Sequence, residues 1–146
     1  MIPKLLIAGL LLSVLNCSGG FVCPDKEPQI MPNQQTGYLD AKRGQMFYWL
    51  VRAKNNPETA PVVLWLNGGP GSSSLLGFLY EQGPYIVTPA LTVEANPFSW
   101  NDKVNMLYID QPLGTGFSIP NTGVQVLDEK GVATDMREAL TDFFNQ

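Results

Sequence analysis

An α/β fold with a largely parallel sheet is what the pattern of this chain predicts, and three observations carry that expectation. Two apolar runs, Val62 to Leu66 (VVLWL) and Val104 to Ile109 (VNMLYI), read as strands buried on both faces. Each run leads straight into a glycine-bearing loop, Asn67 to Gly71 (NGGPG) and Asp110 to Gly116 (DQPLGTG). Beyond the first loop Leu75, Leu76, Phe78 and Leu79 recur at helical spacing, and beyond the second Val132, Met136, Leu140 and Phe143 or Phe144 do the same.

Taken in order, residues 1–20 carry one charge, Lys4, then the apolar run Leu5 to Leu15, then Asn16, Cys17, Ser18, Gly19 and Gly20. This is the pattern of a secretory signal peptide, cleaved near Gly19 or Gly20, because an apolar core of this length falls short of the roughly 20 residues of a membrane-spanning helix. Cleavage removes Cys17 and the sequon Asn16-Cys17-Ser18, while Asn96 is followed by Pro97 and cannot serve as a sequon. Cys23 is then the single cysteine of residues 21–146, either free or paired with a cysteine outside them.

A Pro- and Gln-containing lead, Pro24 to Gln35, precedes two strand-like runs, Thr36 to Asp40 and Met46 to Arg52, with Asp40 to Gln45 as the turn of a β-hairpin. Asn55 to Pro61 is a loop into the first apolar run. Ser72 to Ser74 offer N-cap hydroxyls to the helix that Gly83-Pro84 stops, and Pro84 to Trp100 reads as irregular. Leu127 to Phe144 is an amphipathic helix.

The 146 residues are 45% hydrophobic and 15% charged, which suits one folded domain or part of one. A formal charge of −4 with scattered lysines and arginines argues against a nucleic-acid or anionic-membrane partner, since both reward clustered cations. Two cysteines and no histidine make no zinc site, and no cofactor motif is present. A P-loop needs a Lys followed by Ser or Thr after its second glycine, where Gly71 is followed by three serines; those serines also stand where a dinucleotide fingerprint needs its third glycine. Glu81, Asp102, Asp110 and Asp135 suggest no acid/base dyad by their spacing.

In open α/β sheets, ligands bind beyond the carboxyl ends of the strands, where both glycine loops fall. Asn67 to Gly71 lacks a bulky side chain at three of five positions, so its backbone N–H groups can approach an anion or developing oxyanion, with a helix start behind them. A serine nucleophile needs a general base, and this chain has no imidazole; Ser72, Ser73 and Ser74 therefore read as caps.

The segments WLNGGPGSSSLLGFLYEQGPY and NPFSWNDKVNMLYIDQPLGTGFS resemble the serine carboxypeptidase family of the α/β-hydrolase fold, whose signature runs W-L-N-G-G-P-G-x-S-S, E-x-G-P, N-P-x-S-W-N and D-Q-P-x-G-x-G-F-S. GYLD and FYWLVRA resemble the family's opening hairpin, and the likeness spans Tyr38 to Phe144. It implies that Asn67 and Gly68 bind the free C-terminal carboxylate of a peptide, that Gly69 N–H is one oxyanion-hole donor, that Glu81 supports the carboxylate site, and that Trp65 orients Asn67. Two carboxylates close to a bound carboxylate, Glu81 and a second from the family's nucleophile motif, favour binding while protonated, hence an acidic pH optimum. Ser72 stands where many members have cysteine, and the family's G-E-S-Y-A-G nucleophile motif and its later Asp and His are absent from these residues.

The resemblance thus implies the N-terminal part of a secreted, lysosomal or vacuolar serine carboxypeptidase acting on peptide or protein C-termini, without a cofactor, and inactive as an isolated chain. Its alternatives are a truncated non-catalytic paralogue that binds peptide C-termini and an acyltransferase on the same scaffold.

Overall fold

The computed structural model describes residues 33–146, so the signal peptide expected at residues 1–20, Cys17, Cys23 and most of the Pro24 to Gln35 lead lie outside the described residues. Strands β1 (Gln34–Ala41) and β2 (Gly44–Val51) form an antiparallel hairpin whose register runs from Gln34 opposite Val51 to Ala41 opposite Gly44. Only Lys42 and Arg43 remain for the turn, a tighter connection than the six residues that composition suggests. Strand β3 is Val62–Trp65, and helix α1, Leu75–Tyr80, follows its glycine loop.

Pro84 to Trp100, expected to be irregular, holds a second antiparallel pair, β4 (Tyr85–Val87) with β5 (Val93–Ala95), before a 3-10 turn at Trp100–Asp102. Then come β6 (Asn105–Ile109), the two-residue β7 (Ile119–Pro120), and helix α2 (Glu129–Asn145). The main sheet has the order β1-β2-β6-β3, and β7 pairs with the start of β2. Among the described residues the parallel part of the sheet is one pair, β3 with β6, set beside the antiparallel hairpin.

β6 is central and buried at all five positions, four of them apolar and the fifth, Asn105, bonded through its side chain to Ala53 N–H and to the Pro57 and Ala60 carbonyls. β3 departs from the expectation of burial on both faces. It is an edge strand in the described sheet, and Val62 is 43% exposed because nothing described pairs along its outer side.

Side-chain alternation divides the sheet into two faces. On one, Leu39, Met46, Tyr48, Leu50, Leu107 and Ile109 pack against Met136, Ala139, Leu140 and Phe143 of α2. Fully burying each such side chain contributes roughly 1.5–3 kcal/mol. On the other face Trp49 stacks on Phe78 of α1 with ring centres 4.4 Å apart, and Phe78 meets Tyr108 edge-on at 5.3 Å. α1 and α2 therefore cover opposite faces.

α2 is also pinned by its acidic stripe. Asp135, fully buried, takes a bidentate pair from Arg43, with Nε to Oδ1 at 2.9 Å and Nη2 to Oδ2 at 2.8 Å. Backbone N–H groups of Lys42 and Asp40 donate to Glu138 and Asp142, each at 2.9 Å. At the start of α2 the Asp128 side chain caps Gly131 N–H at 2.6 Å. No described helix is long and apolar enough to cross a membrane.

Candidate functional site

Because β3 and β6 run parallel with Trp65 opposite Tyr108, their carboxyl ends coincide and the two glycine loops emerge side by side. The first loop turns on backbone that side chains seldom adopt: Gly69 has φ +133° and Gly71 has φ +97°. Gly68, Gly69 and Gly71 are exposed, and a Cβ at Gly68 or Gly71 would meet nothing within 4 Å, so the approach to this backbone is open.

Asn67 is the organising residue. Its Oδ1 accepts from the Trp65 indole Nε1 at 2.8 Å and from Gly77 N–H at 3.3 Å. Two N–H donors on one side-chain atom identify that atom as the oxygen, which leaves the Nδ2 donors free among the described residues. The backbone is fixed as well, since Asn67 N–H donates to Ser74 Oγ at 3.2 Å and Asn67 C=O accepts from Gln111 Nε2 at 3.0 Å. Every acceptor of Asn67 and its backbone donor are thus engaged within the protein.

The Trp65 orientation expected from sequence rests on close packing. Gly77 is buried beneath the indole, where any side chain would overlap Nε1, and Trp100 packs against Trp65 edge-on at 6.0 Å. Glu81 lies one turn beyond Gly77, at the end of α1, with its backbone N–H on Gly77 C=O at 3.2 Å. Its side chain is exposed and has no partner among the described residues, so the structure brings Trp65, Asn67 and the glycines together but leaves Glu81 at their margin.

The serines fill the capping role only in part, through Ser73. Ser74 has helical backbone and makes no side-chain cap; its hydroxyl joins Asn67 N–H to Ile109 C=O at the end of β6. Ser73 Oγ accepts from Leu75 N–H at 3.2 Å and donates to Asp110 Oδ1 at 2.7 Å. The two hydroxyls also tie the first loop to the buried acceptors at the end of β6.

Two buried residues make or lack contacts that the sequence does not disclose. Asp110 is 1% exposed and accepts from both glycine loops. Gln82 is 5% exposed, and its Nε2, which lies against Gly77 beside the Trp65 indole, has no hydrogen-bond partner among the described residues. Tyr108, whose hydroxyl is likewise buried and unpartnered among the described residues, has its phenol pushed well above the usual range by burial. The described residues contain no group of three or more His, Cys, Asp or Glu placed to hold a metal ion.

An open, donor-lined turn with an amide donor beside it suits an anionic group at one point and a developing oxyanion next to it. Comparisons with known proteins bear on the family and the fold. The family model described as serine carboxypeptidase matches residues 24–146. The chain is 47% identical over 121 residues to the lysosomal protective protein of Mus musculus, covering 82% of this chain and 25% of that protein. It is 42% identical over 121 residues to the probable serine carboxypeptidase CPVL of Homo sapiens, covering 80% of this chain and 25% of that protein.

Among solved structures, the prohormone-processing carboxypeptidase Kex1Δp of Saccharomyces cerevisiae superimposes with a TM-score of 0.62 at 30% identity, covering 77% of this chain and 27% of that one. The α/β-hydrolase reading of the sheet stands on that likeness together with the mixed strand order. The chain spans about a quarter of the length of the curated relatives it matches. With the family model matching most of its length, the chain belongs to the serine carboxypeptidase family.

Proposed function

We propose that these residues form the carboxylate-binding and oxyanion part of a serine-type carboxypeptidase that releases residues from peptide C-termini. One observation carries the reading: Asn67 Oδ1 is held by Trp65 and Gly77, so that Nδ2 is presented as a fixed donor beside the bare backbone of Gly68 and Gly69. In this reading the terminal carboxylate of the peptide accepts from Asn67 Nδ2 and Gly68 N–H. The scissile carbonyl oxygen, one residue further in, meets Gly69 N–H as it gains charge. An exopeptidase gains from such an arrangement because an internal peptide bond offers no second anion to hold.

Glu81, exposed at the margin of the turn, takes the part of supporting acid in this reading on the family resemblance. A carboxyl group donates to a bound carboxylate only while it is protonated, so affinity for the free-acid peptide should rise toward acid pH. The 146 residues hold no histidine, so the imidazole base comes from outside them, and with it the activated nucleophile. Residues 1–20 act as a signal peptide in this reading, and residues 21–146 begin a product routed through the secretory pathway to the cell exterior, lysosome or vacuole.

The test is calorimetric binding of an N-acetylated dipeptide with a free C-terminal carboxylate and of its carboxamide, joined to a hydrolysis assay of the same pair. Preference for the free acid in both assays supports the carboxypeptidase. Preference in binding with no hydrolysis in any length of the encoded product leaves a non-catalytic binding module, and equal binding of acid and amide removes the site altogether.

A further inference from the structure

Asp110 is a buried carboxyl group with no cation beside it, since no ion pair among the described residues includes it. Such a group is costly to bury unless hydrogen bonds replace its hydration. Those it receives come entirely from the two glycine loops. Oδ1 accepts from Ser73 Oγ at 2.7 Å and from Ser74 N–H at 2.8 Å, both in the Asn67 to Ser74 loop. Oδ2 accepts from Phe117 N–H at 3.0 Å in its own loop.

Gly116, with φ +54°, lies directly over the carboxyl group. A Cβ there would overlap Oδ2 and stand 2.7 Å from Cγ and 3.1 Å from Ser73 Oγ. The second loop is thus shaped to bring its backbone onto Asp110, and the first loop is drawn to the same side chain.

The consequence reaches Asn67 through two short links. Ser74, held at its N–H by Asp110, receives Asn67 N–H on its hydroxyl, and Gln111, the residue after Asp110, donates to Asn67 C=O. We infer that Asp110 is a positioning residue: by accepting from Ser73, Ser74 and Phe117 it fixes the Asn67 to Gly71 turn at the place where it binds a terminal carboxylate. This inference rests on the carboxylate-binding reading given above. Asp110 itself touches no substrate; it acts through Ser74 and Asn67.

The test is made in the product of the transcript that encodes this chain, with the ratio of dissociation constants for the N-acetylated dipeptide carboxamide and free acid as the readout. Asp110→Asn keeps the shape but replaces one acceptor oxygen by a donor nitrogen, so either the Ser73 and Ser74 pair or Phe117 loses its partner. The ratio should fall by about tenfold or more, as for a binding turn displaced by a fraction of an ångström. Asp135→Asn, a buried carboxyl on the opposite face of the sheet, serves as the control for simple loss of stability, and its ratio should not change. A purely structural Asp110 lowers the folded fraction and leaves the ratio of the folded molecules as it was, and that outcome overturns the inference.

Where Asp110→Asn does not fold, Ser73→Ala decides: it removes one donor from Asp110 and spares the rest, and a lowered ratio supports the inference while an unchanged ratio overturns it. Asn67→Ala separates the two levels of the argument. If Asn67→Ala leaves the ratio unchanged, the carboxylate site fails and the inference with it; if Asn67→Ala lowers the ratio and the Asp110 variant does not, only the positioning role is lost.

Discussion

Replacing Gly77 by alanine puts the Trp65–Asn67 arrangement to its most direct test, because local propensity and local packing give opposite signs. Inside a helix, alanine is favoured over glycine by about 1 kcal/mol. Here the added Cβ overlaps Trp65 Nε1 and stands 2.8 Å from Cε2 and 2.9 Å from Gln82 Nε2. For Cε2 alone to reach 3.4 Å, where ordinary contact begins, the ring must retreat about 0.6 Å, and Nε1 must move further. Trp65 is a rigid ring already packed on Trp100, so its retreat lengthens the 2.8 Å bond to Asn67 Oδ1 toward the limit at which a hydrogen bond ceases.

Overpacking of this kind costs about 1–3 kcal/mol, and loss of the hydrogen bond about 0.5–1.5 kcal/mol. Against the propensity gain, Gly77→Ala should therefore be less stable by about 0.5–3.5 kcal/mol. Urea denaturation gives the stability, and the acid-to-amide affinity ratio gives the state of Asn67. A variant that is more stable by about 1 kcal/mol with an unchanged ratio would show that α1 and Trp65 do not touch as described, and the account of Asn67 would fall with it.

Three further outcomes are expected. Asn67→Asp keeps the oxygen that Trp65 and Gly77 bind but removes the outward donor and sets a charge about 4 Å from a bound carboxylate; the two effects together should weaken free-acid binding by about a hundredfold or more at neutral pH, while the carboxamide loses far less, as titration calorimetry will show. Phe78→Ala opens the stack between Trp49 and Tyr108 and should cost about 3–5 kcal/mol in a urea titration; a loss below about 1 kcal/mol would mean α1 is not docked on that face. For pH, burial raises Tyr48 and Tyr108 above their ordinary value of about 10, so the unfolded chain ionises first and the contribution present below that value is lost as pH rises through the folded values. Glu138 has the opposite sign. The Lys42 N–H lowers it below the usual carboxylate range, so its contribution is present above that range and is lost as pH falls through the depressed value. Stability measured against pH should fall at both extremes, and Glu138→Gln should flatten the acid side alone.

What the residues disclose in advance is what side-chain type alone determines. β6 is legible because five consecutive positions have both faces buried, and α2 because Met136, Ala139, Leu140 and Phe143 must face one way. The β4–β5 hairpin is hidden because its strands are three residues long and half-exposed or exposed, too short for any periodicity to develop. The edge position of β3 is hidden for another reason: an apolar run states that a strand can be buried, and only the pairing order states how far it is. Within the site, Asn67, Gly68 and Gly69 stand out with a role, whereas Asp110, although it opens the D-Q-P motif, shows none, because its partners Ser73 and Ser74 lie 37 and 36 residues away and nothing in the local pattern links them.

The two faces of the sheet place different demands on stability and on recognition. On the α2 face, apolar packing and the Arg43–Asp135 pair hold the helix to the hairpin; Leu113 of the second glycine loop joins that packing, while no residue of the Asn67 to Gly71 turn does. On the α1 face, the aromatic stack of Trp49, Phe78 and Tyr108 seats the helix whose Gly77 lies under Trp65, and Trp65 holds Asn67. A substitution that loosens α2 therefore lowers the folded fraction and leaves the affinity ratio of the folded molecules intact. One that loosens α1 also frees the Asn67 amide to rotate, which exchanges its donor for an acceptor at the point meant for a carboxylate. Coupling between stability and selectivity thus follows from which face a residue occupies, and its distance along the chain from Asn67 is no guide, since Trp49 lies closer in sequence to the α2-facing Tyr48 and Leu50 than to any residue of the site.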